Sequence, residues 1–237
     1  MTTITAIVTV GPSPQHKHWL PECLESIWAQ SRRPDKLIVF DDGAHLDKGQ
    51  RPDWLQWSRV VSAPWHVGQT DALNFAIAKA ETDTVIPVDS DDRLLPGCLE
   101  ECEAEYNRIG DPWRYYYVCL ALGDTGRTQA CAGGIALFSR RLWAYLGGYP
   151  DVGPGSPDVP FVDLILRYAH GVHPVCEGRP LYWHREHPLN GAKVNLQKPD
   201  LWNGWLLLKK YQAEDWPNQD RGWVQGYGFA EEAVSKG

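Results

Sequence analysis

The chain has 237 residues, 43% hydrophobic and 22% charged, enough for one large α/β domain or two small ones with a sizeable core. Its net charge of −7 argues against a general nucleic-acid binder, and no apolar run approaches the roughly 20 residues that span a bilayer. Twelve Trp favour a protein that handles rings, sugars or extended ligands, although most of them should build core or cleft walls.

The first residues lack the basic stretch of an export signal and read as a strand. The cysteines at 23, 98, 102, 119, 131 and 176 form no CxxC pair. They read as buried reduced thiols rather than zinc ligands or disulfides, which points to a cytoplasmic protein.

In chain order, Ile4 to Val10 is a β-branched strand stopped by Gly11-Pro12-Ser13-Pro14. Leu20, Leu24, Ile27 and Trp28 recur at helical spacing, with Pro21 in the first turn. Lys36 to Phe40 is a second strand, ending in Asp41-Asp42-Gly43, and Val60-Val61 suggests a short third. Ala72, Phe75, Ala76 and Ala80 mark an amphipathic helix with Thr70 or Asp71 as N-cap. Thr84 to Val88 is another strand, running into Asp89, Asp91 and Asp92. Pro96 opens the next helix, which carries Cys98 and Cys102 on one face. Strands alternating with helices imply crossover connections and a largely parallel sheet.

Beyond about residue 110 the character changes. Trp113 to Leu122 is aromatic and β-rich, and Gly123 to Gly126 is a turn. Gly133 to Phe138 runs into Ser139, which caps a helix through Leu146, and Gly147-Gly148-Tyr149-Pro150 ends it. Phe161 to His170 is a further helix with Gly171 at its C-cap. Pro180 to Asn190 holds His184 and His187, and a last helix covers Leu201 to Tyr211. The expected organisation is a single domain over 1–237, with a nucleotide-binding half (1–110), an acceptor half (111–200) and a C-terminal helix and tail (201–237).

The acidic strand end carries the most chemistry. Asp89 and Asp91 flank Ser90, so an extended backbone sends both carboxylates to one side. Two hard oxygen ligands suit Mn²⁺ or Mg²⁺, which take the rest of their shell from water and substrate phosphates. The competing reading is a solvated Asp-rich turn that caps the next helix.

Four segments, taken in order, resemble glycosyltransferase family 2, a large inverting family of GT-A fold. They are LPECLESIWAQSRRPDKLIVFDDG, HVGQTDALNFAIAKA, VDSDD and GGIALFSRRLWAYLGGYP, and the resemblance spans Ile4 to Asn190. It implies a GT-A (Rossmann-like) α/β fold, a mixed, mainly parallel sheet flanked by helices. The implied activity moves a sugar from a nucleotide-diphosphate sugar, first of all a UDP-sugar, to a hydroxyl with metal assistance. Donor contacts then fall to Val10, Gly11, Asp41, Asp42, His66, Gly68, Asn74, Asp89, Ser90 and Arg185, with His66 standing where the family commonly has Asn. Metal ligands fall to Asp89, Asp91 and His187, with His184 as the competitor of His187.

The sequence departs from the family at the base. Pro160 and Phe161 stand where a Glu-Asp pair is expected, so the acceptor's proton falls to Asp158 or Asp163. Asp158 otherwise reads as an N-cap, and Asp163 as the partner of Arg167 one turn on. The missing pair leaves a catalytically degenerate nucleotide-sugar-binding module as the alternative. A sugar nucleotidyltransferase is disfavoured because no Gly-rich, Lys/Arg-bearing N-terminal loop is present. The acceptor stays open among a glycan, a ring-bearing small molecule and a modified nucleic acid, with Arg140-Arg141 and Lys209-Lys210 as local positive patches. Trp113 to Tyr117, Trp143 to Tyr149 and Trp202 to Trp205 are expected to line an acceptor groove or to fill the core of that half.

Overall fold

The computed structural model describes residues 2–46, 58–63, 65–130, 134–151, 157–176 and 178–187. The apolar run of β1 (Ile4–Val10) lies in the interior of the sheet and is buried almost throughout. It is followed by α1 (Pro14–Trp28), β2 (Lys36–Asp41), β3 (Ser58–Ser62), α2 (Gln69–Ala78) and β4 (Thr84–Asp89). β1 pairs in parallel with β2 and β4, and β2 in parallel with β3. The register sets Val10 beside Asp41 and Thr9 beside Asp89, so both acidic strand ends emerge at one carboxyl edge.

The chain continues through β5 (Arg93–Leu94), α3 (Cys98–Ile109), β6 (Tyr115–Tyr117), β7 (Cys119–Leu122), β8 (Arg127–Ala130) and β9 (Ala136–Ser139). It then forms α4 (Arg140–Tyr145), α5 (Asp158–Tyr168), β10 (Val172–Pro174) and β11 (Pro180–His184). Seven strands make the main sheet, in the order β10-β6-β9-β4-β1-β2-β3, and only β9 runs against the rest. The other sheet has the order β5-β11-β7-β8. The aromatic run 113–122 therefore divides between two sheets. Buried Val118 is the joint, its N–H donating to the carbonyl of Ile135 at 3.2 Å. The fold is the mixed, mainly parallel α/β arrangement expected.

Several boundaries differ from the sequence reading. α1 begins at Pro14, so Pro21 lies inside the helix rather than in its first turn. Pro21 is exposed, and the bond its missing N–H removes falls on the outer face. α2 starts directly after Gly68, and neither Thr70 nor Asp71 is its N-cap. Gly68 takes φ 93° and ψ 158°, a conformation open essentially to glycine alone. α5 starts at Asp158, one turn earlier than expected, with Pro160 in the first turn where an N–H is not needed. Its C-cap is Ala169 rather than Gly171.

Other expectations hold. Ser139 caps α4, its Oγ accepting from the Leu142 N–H at 3.0 Å. Cys98 and Cys102 are buried on one side of α3, and the described cysteines are free thiols. Tyr115, Tyr116, Trp143 and Tyr149 belong to the buried core, which is the fate expected of most of these rings. Among the described residues no helix is long and apolar enough to cross a membrane. Cys131, the expected helix 201–211, Trp202 to Trp205 and Lys209-Lys210 lie outside the described residues.

Candidate active site

The carboxyl edge of β1, β2 and β4 opens into a cleft of about 530 Å³ whose lining includes Gly11, Asp42, Asp89, Asp91, Asp158 and His184. Open α/β sheets place their ligands at this edge. β4 ends at Asp89, and the next residues turn, with the Asp92 N–H donating to the Asp89 carbonyl at 3.1 Å. Asp89 and Asp91 thus do not alternate along one extended strand, yet both reach the cleft with Ser90 between them. Water reaches Asp89 from within the cleft, although the protein closes around its carboxyl. That enclosure, together with the charges of Asp92, Asp91 and Asp158, lifts its pKa well above the usual carboxylate range.

Asp92 was not singled out by the sequence, and it proves to be an organiser of the site. It is buried; its Oδ2 lies 2.9 Å from His184 Nδ1, and its Oδ1 accepts from the Arg185 N–H at 2.7 Å. Burial raises the pKa of this carboxyl, and the bond from His184 opposes that rise. In return Asp92 raises the pKa of His184, whose ring lines the cleft. The third acid of VDSDD was the available signal, but its histidine partner is 92 positions away.

His187 behaves differently. Its Nε2 lies 2.9 Å from Asp91 Oδ2, its ring packs on Trp19 at 4.6 Å between centroids, and it is 7% exposed. His187 does not line the cleft, whereas His184 does. Arg185 likewise does not line the cleft. Its Nε donates to the Asp91 carbonyl at 2.7 Å, its guanidinium binds Glu22, and it stacks over Trp19 and Trp183. A guanidinium held by a carboxylate and two rings outside the cleft is committed to fixing the acidic turn.

The remaining predicted donor residues divide in the same way. Asp41 accepts from the N–H groups of His45 and Leu46 at 3.0 and 2.8 Å, closing its own loop. Asp42 lines the cleft, and its carboxylate accepts from the N–H groups of Val67 and Gly68 at 2.6 and 3.1 Å. It therefore lies at the start of α2, where a negative charge is favoured. His66 lines the cleft with Nδ1 2.8 Å from Asp42 Oδ2. Gly11 and Ser90 line the cleft, whereas Val10 is buried beneath it. Gly68 contributes its backbone shape and the N–H held by Asp42.

Asn74 is bonded to the protein itself. Its Oδ1 accepts from Trp143 Nε1 at 3.1 Å and from the Tyr149 N–H at 2.9 Å, and its Nδ2 donates to the Tyr149 carbonyl. Buried and bonded on both sides, it ties α2 to the Gly147–Pro150 loop rather than facing a ligand.

Of the two candidate bases, only Asp158 enters the cleft. Burial lifts its carboxyl from 3.8 to about 7, opposed by backbone N–H bonds at the start of α5. Asp163 instead accepts from Arg167 Nε at 2.6 Å on the outer side of the helix. Pro160 and Phe161, standing at the expected Glu-Asp positions, are buried.

Among the described residues no group of three His, Cys, Asp or Glu side chains is arranged to hold a metal ion unaided. The donor set still suits a hard divalent cation that brings its other ligands with it. Asp89 and Asp91 offer oxygens at the cleft, and the mutual repulsion that raises the Asp89 pKa is what such a charge would relieve.

Residues 12–120 match the model of glycosyl transferase family 2. That stretch of the chain is similar to the family. The strands that present Asp41, Asp42, Asp89 and Asp91 all fall within the matched residues. Among solved structures this chain is similar to S. aureus TarS 1–349 in complex with UDP, at 16% identity and a TM-score of 0.64. That match covers 78% of this chain and 61% of the other. The TarS 1–349 complex with UDP-GlcNAc gives 15% identity and a TM-score of 0.65, covering 78% and 59%. At such identity the likeness concerns the fold, and the chain spans about three fifths of the length of these relatives. A comparison with curated proteins finds no match.

Proposed function

We propose that this chain is a metal-dependent, inverting glycosyltransferase of family 2 that moves a sugar from a UDP-sugar to a hydroxyl acceptor. The observation that carries the reading is that Asp158 and the acidic turn at Asp89 and Asp91 line one cleft, with the Asp158 carboxyl lifted to about 7. A base of that pKa is matched to proton transfer near neutral pH. The bound UDP and UDP-GlcNAc of the TarS structures support a nucleotide-sugar donor on this fold.

In this mechanism Asp89 and Asp91 would hold Mn²⁺ or Mg²⁺ against the donor diphosphate. The cation supplies charge neutralisation for the leaving group. Asp42 and Gly11 line the nucleotide side, and the Asp92–His184 pair fixes the wall beside the acidic turn. Asp158 takes the proton of the acceptor hydroxyl while its oxygen attacks the anomeric carbon opposite the departing diphosphate, so the configuration inverts. His187 orients Asp91 through its 2.9 Å contact instead of facing the donor. A nucleotide-sugar donor and free buried thiols suit a cytoplasmic protein.

The test is UDP release from UDP-GlcNAc in the presence of Mn²⁺. Slow release, abolished by chelation and by Asp158→Asn, is expected. UDP binding with no release from wild type would leave a binding module in place of an enzyme.

A further inference from the structure

The amino edge of the main sheet, away from the cleft, gathers charge of the opposite sign. Lys36 opens β2, and the six-residue strand reaches Asp41 about 16 Å further on. Lys36 and Ile38 share one face of the sheet, and the register sets Arg59 of β3 beside Ile38. On that face Ile38 belongs to a buried cluster with Ala72, Ala76 and Ala80, the apolar side of α2 and its continuation. α2 ends at Ala78 with Lys79 as its C-cap, so a third cation arrives where the apolar packing stops. A depression of about 180 Å³ forms there, with Thr5, Lys36, Arg59, Lys79 and Glu81 in its lining.

Cations so placed normally find carboxylates. Among the described residues Lys36, Arg59 and Lys79 form no ion pair, and neither does Glu81, the one acid in the described lining. Three positive charges thus face one negative charge, on a chain whose net charge is −7. The end of α2 accounts for Lys79 alone, since the helix dipole favours a cation there. It gives no reason for Lys36 and Arg59, which belong to strands. The carbonyls of Phe75, Ala76 and Ile77 accept from the N–H groups of Lys79 and Ala80, and that of Ala80 accepts from the Arg140 guanidinium. These acceptors are satisfied within the protein. A guanidinium and two ammonium groups around one concavity suit phosphate, the first by paired N–H donors and the others by charge. The volume lies below the roughly 300–1,000 Å³ of pockets for larger ligands, so the occupant is compact.

We propose that Lys36, Arg59 and Lys79 form an anion site at the amino edge of the sheet, separate from the cleft, that binds a small phosphate dianion. Inorganic phosphate and simple phosphomonoesters have that chemistry. The site does not depend on the donor assignment given above.

Phosphorus-31 NMR on the full chain at low salt tests it, with EDTA present to remove binding through a metal at Asp89 and Asp91. Inorganic phosphate and glycerol 3-phosphate should each broaden on adding protein, with a Kd of about 1 mM for ligands of so few atoms. Arg59→Ala and Lys36→Ala should each weaken binding about fivefold or more. Glu81→Gln, which removes the opposing charge, should tighten it about two- to fivefold. That gain cannot arise from misfolding. Absent broadening at roughly tenfold higher phosphate, or broadening indifferent to all three substitutions, would overturn the site.

Discussion

Asp91 and His187 are joined at 2.9 Å, and the histidine is the more deeply buried of the two. The acid expected to meet the cation is therefore aimed by a ring that is itself held on Trp19. Removing such an outer partner typically weakens metal binding by about 10- to 100-fold without abolishing it. His187→Ala should lower Mn²⁺-dependent UDP affinity by that amount in calorimetry, whereas Asp91→Ala should remove the metal dependence altogether. Equal effects of the two variants would make His187 a direct ligand.

Asp158 gives a pH signature in activity. With its carboxyl near 7, UDP release or transfer should rise with pH through about 7 and level off above it. Asp158→Asn should reduce the rate by roughly 10²- to 10⁴-fold, while Asp163→Asn changes it little. A pH–rate profile of both variants decides between the two carboxylates.

The same group gives a signature in stability. Its pKa is higher folded than unfolded, so ionising it penalises the native state. That penalty is absent below the ordinary value of 3.8, grows up to about 7, and is constant above. Asp158→Asn should therefore melt at a higher temperature than wild type at pH 8, and the difference should vanish near pH 4. Thermal melts across that range would refute the burial argument if the two curves ran parallel.

Asn74 should matter for folding rather than for donor binding. Asn74→Ala removes the acceptor of Trp143 Nε1 and both bonds to Tyr149, a loss of about 2–4 kcal/mol. A melting temperature lower by roughly 5–15 °C is expected, with UDP affinity unchanged in the protein that remains folded. Lost affinity at unchanged stability would restore Asn74 to the donor site.

Gly68 isolates backbone strain. A Cβ built there has no atom within 4 Å, so Gly68→Ala creates no clash and pays only for φ 93°. The expected loss is about 1–3 kcal/mol, read from denaturant midpoints.

The strand ends were legible because their apolar runs are short, β-branched and followed at once by acids, as in Lys36 to Asp42 and Thr84 to Asp92. A parallel sheet then brings Asp41 and Asp89 to one edge without further information. What escaped the sequence depends on residues distant along the chain. Asn74 finds its partners 69 and 75 positions away, and His184 finds Asp92 at a separation of 92. Arg185 and His187 follow His184 directly after the end of β11, yet packing on Trp19 and Glu22 holds them away from the cleft. Pro21 misled for a simpler reason, since a proline on an exposed helical face removes little.

The cysteines provide a way to time the opening of the molecule. Cys23 lies directly beneath the acidic turn, its Sγ 3.4 Å from the Asp89 carbonyl, and Cys98 and Cys102 are enclosed by α3. Cys176 is only partly covered. A thiol-specific label should therefore modify Cys176 early and reach Cys23, Cys98, Cys102 and Cys119 only through fluctuations that expose them. If the floor of the cleft loosens independently of the helix layer, Cys23 will react faster than Cys98 and Cys102. A ligand on the acidic turn would slow that one reaction selectively, turning an inert sulfur into a reporter of occupancy.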